Sequence, residues 1–208
     1  MTQPAQGQIK SACETLAKSD TGLANAYIAI GSPQWRARPL AYETLATSVA
    51  YQLISTKAAA AIWARVKDAL PSITPETMLA CPDDTLRAAG MSRPKISHLK
   101  SIAAAMQEGT LNLERVSASP LDEARKELLA VKGIGPWTAE LFLLYARGEM
   151  DAFPTGDVGL MEAYKHLSGA TERMTAKAFT AHAEAWRPHR GVAAHLLWGW
   201  LNAERAKA

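Results

Sequence analysis

Residues 128–160 read LLAVKGIGPWTAELFLLYARGEMDAFPTGDVGL. Two apolar segments flank Gly133-Ile134-Gly135, and glycine takes φ > 0 without a Cβ penalty, so the triplet suits a tight turn with exposed amides. Pro136 follows as a first helical residue, where its missing N–H costs nothing. The amides around Gly133 and Gly135 then sit at a helix N-terminus, a backbone-only site for an anion such as phosphate. Upstream, Leu121, Ala124, Leu128 and Val131 fall at i, i+3, i+7 and i+10, the stripe of an amphipathic helix opened by Ser119-Pro120. Downstream, Pro136 to Arg147 is apolar nearly all round, which predicts a helix buried on most sides. After Gly148 and Pro154, Asp157 stands at the start of another helix, over residues 158–168.

The whole chain, 208 residues with 48% hydrophobic and 21% charged content, suits an ordinary globular protein with one core and two lobes at most. A net charge of +3 is compatible with nucleic acid and too mild to argue for it alone. No run approaches a membrane span. The N-terminus lacks the apolar core of a secretory signal, so a cytoplasmic protein is expected. Cys13 and Cys81 match no metal or redox spacing; buried free thiols are the expectation, with a disulfide the alternative. None of the five histidines forms a metal-ligand pair at i, i+4 with a carboxylate partner, so no catalytic metal is expected.

Towards the N-terminus, residues 40–70 read as helix throughout, from Leu45, Val49, Leu53 and Ala60. Residues 31–39 form a connector with Trp35, Arg36 and Arg38; the arginines are either phosphate contacts or solvated charge. Residues 1–10 are polar and expected to fray, and Asp20 caps a helix after a break at 19–22. Between 71 and 116 the pattern alternates short helices with Pro, Gly and Ser punctuation. Lys95 and Lys100 are phosphate contacts or a solvated face. Towards the C-terminus, a helix runs from Thr175 to Trp186, residues 187–190 break it, and a last helix spans Val192–Ala203. There Trp198 and Trp200 read as structural. No segment reads as a strand, so the class is all-α.

The run Lys132-Gly-Ile-Gly-Pro-Trp-Thr-Ala139, with Asp157 in Phe-Pro-Thr-Gly-Asp, resembles the helix-hairpin-helix/Gly-Pro-Asp superfamily of DNA base-excision glycosylases. Within it the alkylpurine branch, DNA-3-methyladenine glycosylase II, is the nearest resemblance. Residues 51–59, YQLISTKAA, look like a second family signature, departing at Leu53 where a second Gln is commoner. The resemblance implies a two-lobed helical glycosylase, 1–208 as a single domain. Its N- and C-terminal segments would form one lobe, residues about 45–125 the other, with the hairpin at 121–147 and a DNA cleft between. No four-cysteine iron–sulfur cluster is possible without C-terminal cysteines, and a monovalent cation on the hairpin carbonyls is implied only by the family.

The site residues follow from the same resemblance. Asp157 would be the catalytic carboxylate, stabilising an oxocarbenium-like sugar and activating water; an ordinary helix N-cap is its other reading, and Asp151 its competitor. Trp137 stands where strand-nicking relatives carry a Schiff-base lysine, which implies base removal without strand cleavage. Trp137, Leu141 and His189 would line the base pocket, where an indole suits a cationic base such as 3-methyladenine or 7-methylguanine. Gln52, Leu53, Ser55, Lys132, Gly133, Ile134 and Gly135 would meet DNA. Leu53 is either the wedge filling the gap of a flipped nucleotide or a plain core leucine, and Gln52 either faces DNA or caps a local turn. The expected partner is double-stranded DNA with a damaged base, bound by a nucleoid-associated monomer. The same scaffold acting on oxidised or deaminated bases, and a non-catalytic DNA-binding module, are the alternatives.

Overall fold

Capping residues and apolar stripes place most of the helices. The computed structural model describes residues 3–207. In chain order the α-helices are α1 (Gln6–Ser19), α2 (Thr21–Ile30), α3 (Tyr42–Ala50), α4 (Thr56–Ala69), α5 (Pro75–Ala80), α6 (Asp83–Ala88), α7 (Arg93–Gln107), α8 (Leu113–Ala118), α9 (Leu121–Leu129), α10 (Pro136–Phe142), α11 (Val158–Ser168), α12 (Ala176–Ala183) and α13 (Arg190–Lys207). A π-helical turn, Leu143–Arg147, extends α10, and a 3-10 turn, Glu184–Trp186, extends α12. Among the described residues there is no strand, and no helix is long and apolar enough to cross a membrane. The fold class is all-α.

The chain divides into two compact units: Arg38–Phe142, and the described parts of Thr2–Ala37 with Leu143–Ala208. In the first, α7 packs against α3, α5 and α6, and α10 packs on α3 and α9. Leu45, Val49, Met78, Leu86, Leu99, Leu128 and Phe142 are fully buried there, each burial being favourable by about 1.5–3 kcal/mol. In the second, α2 packs against α1, α11 and α13, around Leu23, Leu160, Phe179, Trp186, Val192 and Leu196. Cys13 and Cys81 are both buried free thiols; burial pushes the Cys13 thiol up to about 11, which keeps it protonated and inert.

Four sequence expectations change. The single helix over 40–70 is two helices, interrupted at residues 51–55. Ser55 starts α4 by accepting the Ala58 amide at 3.3 Å, while Leu53 has φ +59°, which no right-handed helix can hold. The apolar segment after Pro136 leaves α geometry at Leu143 and finishes as a π turn. At the N-terminus, Met1 and Thr2 lie outside the described residues, but helix begins at Gln6 rather than fraying to residue 10, because Ile9 is buried and the Gln8 side chain accepts the Ala5 amide at 2.9 Å. The last helix is also longer than Val192–Ala203, running from Arg190 to Lys207.

Candidate active site

The hairpin belongs to the first unit. Its turn closes through the Ile134 amide donating to the Val131 carbonyl at 3.1 Å, and α10 begins with the Ala139 amide on the Gly135 carbonyl at 2.9 Å. Ile134 is buried and Lys132 exposed. The two glycines do different jobs. Gly133 has φ +99°, and a Cβ there would lie 2.5 Å from the His98 Cβ; the fold itself demands glycine. Gly135 has no positive φ, and a Cβ there would meet nothing within 4 Å. The protein itself therefore places no steric demand on that position. Arg125 locks the two hairpin helices by pairing with the buried Glu140 at 2.5 Å and with Asp122 at 2.9 Å, a pair that motif matching did not reveal.

The 51–55 loop belongs to the same unit. Leu53 is 102% exposed, so the core-leucine reading fails: its side chain stands free at the tip of the loop. Gln52 does not cap a local turn. Its amide nitrogen donates to the Thr138 hydroxyl at 2.8 Å, tethering the loop to α10 next to the half-buried Trp137. Ser55 is the N-cap of α4. Lys95 and Lys100 are not on a solvated face: Lys95 donates to the Ala50 carbonyl at 2.7 Å, at the end of α3, and Lys100 to the Cys81 carbonyl at 2.8 Å and to Asp83. Both satisfy helix-end carbonyls. Burial lowers the affinity of the Lys95 amine for its proton. Leu141 is buried at 7% exposure.

Asp157 belongs to the second unit. The N-cap reading holds: Asp157 is the N-cap of α11, with Oδ1 accepting the Leu160 amide at 2.9 Å. The same oxygen accepts the Trp198 indole N–H at 3.3 Å. Asp151 is differently placed. It is buried at 8% exposure, and Arg190 grips it through Nε at 3.0 Å and Nη2 at 2.9 Å, with Arg187 at 2.5 Å. A carboxylate enclosed by two guanidiniums is a structural anchor for the loop before Phe153. His189 is half-buried, with its Nδ1 enclosed and without a hydrogen-bond partner.

Two groupings in this unit escaped the sequence reading. One is an aromatic set: His195 stacks on Trp35 with ring centroids 4.2 Å apart, and Tyr145 and Trp198 meet its edges. Residues 191, 195 and 198 share one face of α13, a spacing present in the sequence; the partners Trp35 and Tyr145 are not deducible from it. The other is Asp20, whose Oδ1 caps α2 on the Leu23 amide. Its Oδ2 accepts from Tyr164 at 2.9 Å, Trp186 at 3.0 Å and His182 at 3.1 Å. Burial pushes the Asp20 carboxyl up, but these donors outweigh it and hold it below the ordinary carboxylate value.

Comparison with known proteins adds the following. The sequence profile of HhH-GPD superfamily base excision DNA repair proteins matches residues 46–188. DNA-3-methyladenine glycosylase 1 of Schizosaccharomyces pombe is 35% identical over 164 residues, 76% of this chain and 71% of the relative. DNA-3-methyladenine glycosylase 2 of Escherichia coli is 29% identical over 178 residues, 79% of this chain but 60% of the longer relative. The solved structure of the Schizosaccharomyces pombe 3-methyladenine DNA glycosylase in complex with abasic DNA superposes with a TM-score of 0.81 at 28% identity, covering 94% of this chain and 97% of that one.

Proposed function

The chain belongs to the HhH-GPD superfamily of base excision DNA repair proteins, and on that premise we propose that it excises alkylated purines, 3-methyladenine and 7-methylguanine, from double-stranded DNA without cutting the strand. The observation that carries the reading is Asp157, a carboxylate whose Oδ1 is held by both a helix-cap amide and an indole N–H. A carboxylate fixed in this way costs little reorganisation when positive charge develops beside it.

In this reading the hairpin amides and Lys132 hold a DNA phosphate, and the open space at Gly135 admits its close approach. Leu53, exposed at the tip of its loop, fills the gap left by the extruded nucleotide. The glycosidic C–N bond breaks with its electrons going to the base, so a cationic methylpurine departs neutral. Asp157 stabilises the resulting oxocarbenium-like sugar and accepts a proton from the water that adds to C1′. Trp137, in the place of a Schiff-base lysine, leaves no nucleophilic amine there for strand cleavage, and with Leu141 it lines the base pocket. The enzyme acts as a monomer at the nucleoid.

A monovalent cation at the hairpin is part of the same proposal. The carbonyls of Val131 and Gly135 each accept one amide, and a carbonyl oxygen has a second lone pair to offer. Replacing potassium with tetramethylammonium at equal ionic strength is expected to weaken DNA binding and, because a cation held only by the native hairpin stabilises it, to lower the unfolding midpoint.

Single-turnover release of free bases from methylated DNA tests the main reading. Wild type is expected to free 3-methyladenine and leave an uncut abasic strand, and Asp157→Asn to bind the same DNA while releasing at least roughly 100-fold less. Binding by both proteins with no release of methylated purine by wild type refutes it.

A further inference from the structure

His195 has no role in the chemistry proposed above, yet it sits at the centre of the contacts that reach Asp157. It is 3% exposed on α13. Its Nδ1 pairs with the Gly191 carbonyl at 2.8 Å, and the Arg36 backbone N–H reaches its Nε2 at 3.4 Å. An acceptor on one side and a donor on the other select the tautomer protonated at Nδ1. Burial, with the nearby Arg36 charge adding to it, pushes the imidazole down to about 4, so the ring is neutral at neutral pH. One face lies on the Trp35 indole, tilted by only 15°. Tyr145 meets its edge at 5.6 Å and Trp198 at 6.2 Å, both near perpendicular.

Trp198 carries the arrangement onward. Its indole N–H donates to Asp157 Oδ1, the oxygen that also caps α11. The two donors reach one oxygen from two different helices, and together they restrain where the carboxylate points. The second donor works only while the indole keeps its rotamer, and the rings packed on it decide that. A Cβ on Gly159 would also lie 3.1 Å from Asp157 Oδ1 and 3.9 Å from the Trp198 nitrogen, so the backbone of α11 comes in close beneath the pair.

We propose that His195 is a positioning residue for base excision: clamped between Gly191, Arg36 and Trp35, it holds the Trp198 indole in the orientation that aims the Asp157 carboxylate. The proposal rests on the catalytic reading of Asp157 given above. It is distinct from a packing role, because the Gly191 carbonyl and the ring face of Trp35 keep the imidazole in one orientation rather than merely filling space.

The test is a double-mutant cycle on single-turnover excision of 7-methylguanine, with Asp157→Asn beside it. His195→Leu is expected to slow excision roughly 10- to 100-fold, the usual consequence of a small misplacement of a reacting group. Affinity for DNA carrying an abasic analogue stays within about twofold of wild type, and Trp198→Phe with His195→Leu is no slower than Trp198→Phe alone. His195→Gln, which keeps a donor and an acceptor but no ring, gives the same slowing and stands in if the leucine variant does not fold. His195→Phe, which restores a ring against Trp198, recovers most of the rate. Wild-type rates in both His195→Leu and His195→Gln, or slowing that adds to that of Trp198→Phe, overturn the proposal while an inactive Asp157→Asn leaves the catalytic reading standing. Wild-type excision by Asp157→Asn removes the catalytic reading and the proposal together.

Discussion

Replacing Leu53 separates stability from function more cleanly than any other change in this chain. A buried leucine cut to alanine costs about 2–5 kcal/mol, but Leu53 is 102% exposed and has no burial to lose. Its backbone is also strained: φ is +59°, and the left-handed conformation costs an L-residue about 1–2 kcal/mol. Leu53→Gly removes that strain and adds back about 0.5–1 kcal/mol of unfolded-chain entropy. The expected net effect is a stability unchanged or raised by up to about 1.5 kcal/mol, read from urea unfolding. Function goes the other way. If the side chain fills the gap left by an extruded nucleotide, it gains about 1.5–3 kcal/mol of burial only in the complex, so Leu53→Gly and Leu53→Ala should slow excision from duplex DNA about 10- to 150-fold. Excision from single-stranded DNA, which has no stacked gap to fill, should change little. Duplex excision at the wild-type rate refutes the wedge. A loss of more than about 1 kcal/mol of stability in Leu53→Gly refutes the reading of the loop as strained and unpacked.

The other expectations concern the hairpin and the acidic residues. Gly133→Ala puts a Cβ 2.5 Å from His98 at φ +99° and should cost about 2–4 kcal/mol, whereas Gly135→Ala, which meets nothing, should leave unfolding unchanged and weaken DNA binding; equal stability losses would contradict the division of labour. Asp151→Asn removes the buried charge against Arg190, leaving it the half-exposed Glu184 alone as an anionic partner, and should destabilise by about 3 kcal/mol, while Asp157→Asn keeps a capping oxygen and should unfold within about 1 kcal/mol of wild type. Asp20→Asn should be less stable than wild type at neutral pH. Because the folded carboxyl titrates below its unfolded value, the Asp20 contribution is present above roughly pH 4 and is lost as pH falls through the depressed folded value. The gap between the two proteins in thermal unfolding should therefore close in acid, and a gap independent of pH would show that the carboxylate charge is not what the donors hold.

Much of the fold follows from local chemistry. The stripe Leu121, Ala124, Leu128 and Val131 identifies α9, Asp157 and the apolar spacing behind it identify α11, and Asp20 marks the break between α1 and α2. The interruption between α3 and α4 was not legible, because a leucine in left-handed geometry has no sequence signature and Leu45, Val49 and Leu53 continue a helical period. Asp20 was legible as a cap through Oδ1, which bonds three residues away. It was not legible as the acceptor for Tyr164, Trp186 and His182, which arrive from other helices. Lys95 and Lys100 were misread for the same reason: a lysine on a helix looks solvated until another helix ends beneath it.

By itself, then, the sequence determined an all-α chain, a hairpin turn at Gly133-Ile134-Gly135, a carboxylate at the head of α11 and a resemblance to a DNA-repair superfamily. The helices, the turn and the cap rest on periodicity, capping and turn chemistry, which act over a few residues, and the superfamily on the resemblance carried by residues 132–139 and Asp157. Only the tertiary structure decided that Leu53 stands in solvent, that Asp151 is spent on Arg190, and that Trp198 and His195 stand behind Asp157. Those pairings join residues distant along the chain, and their geometry depends on how helices pack, not on the order in which residues occur.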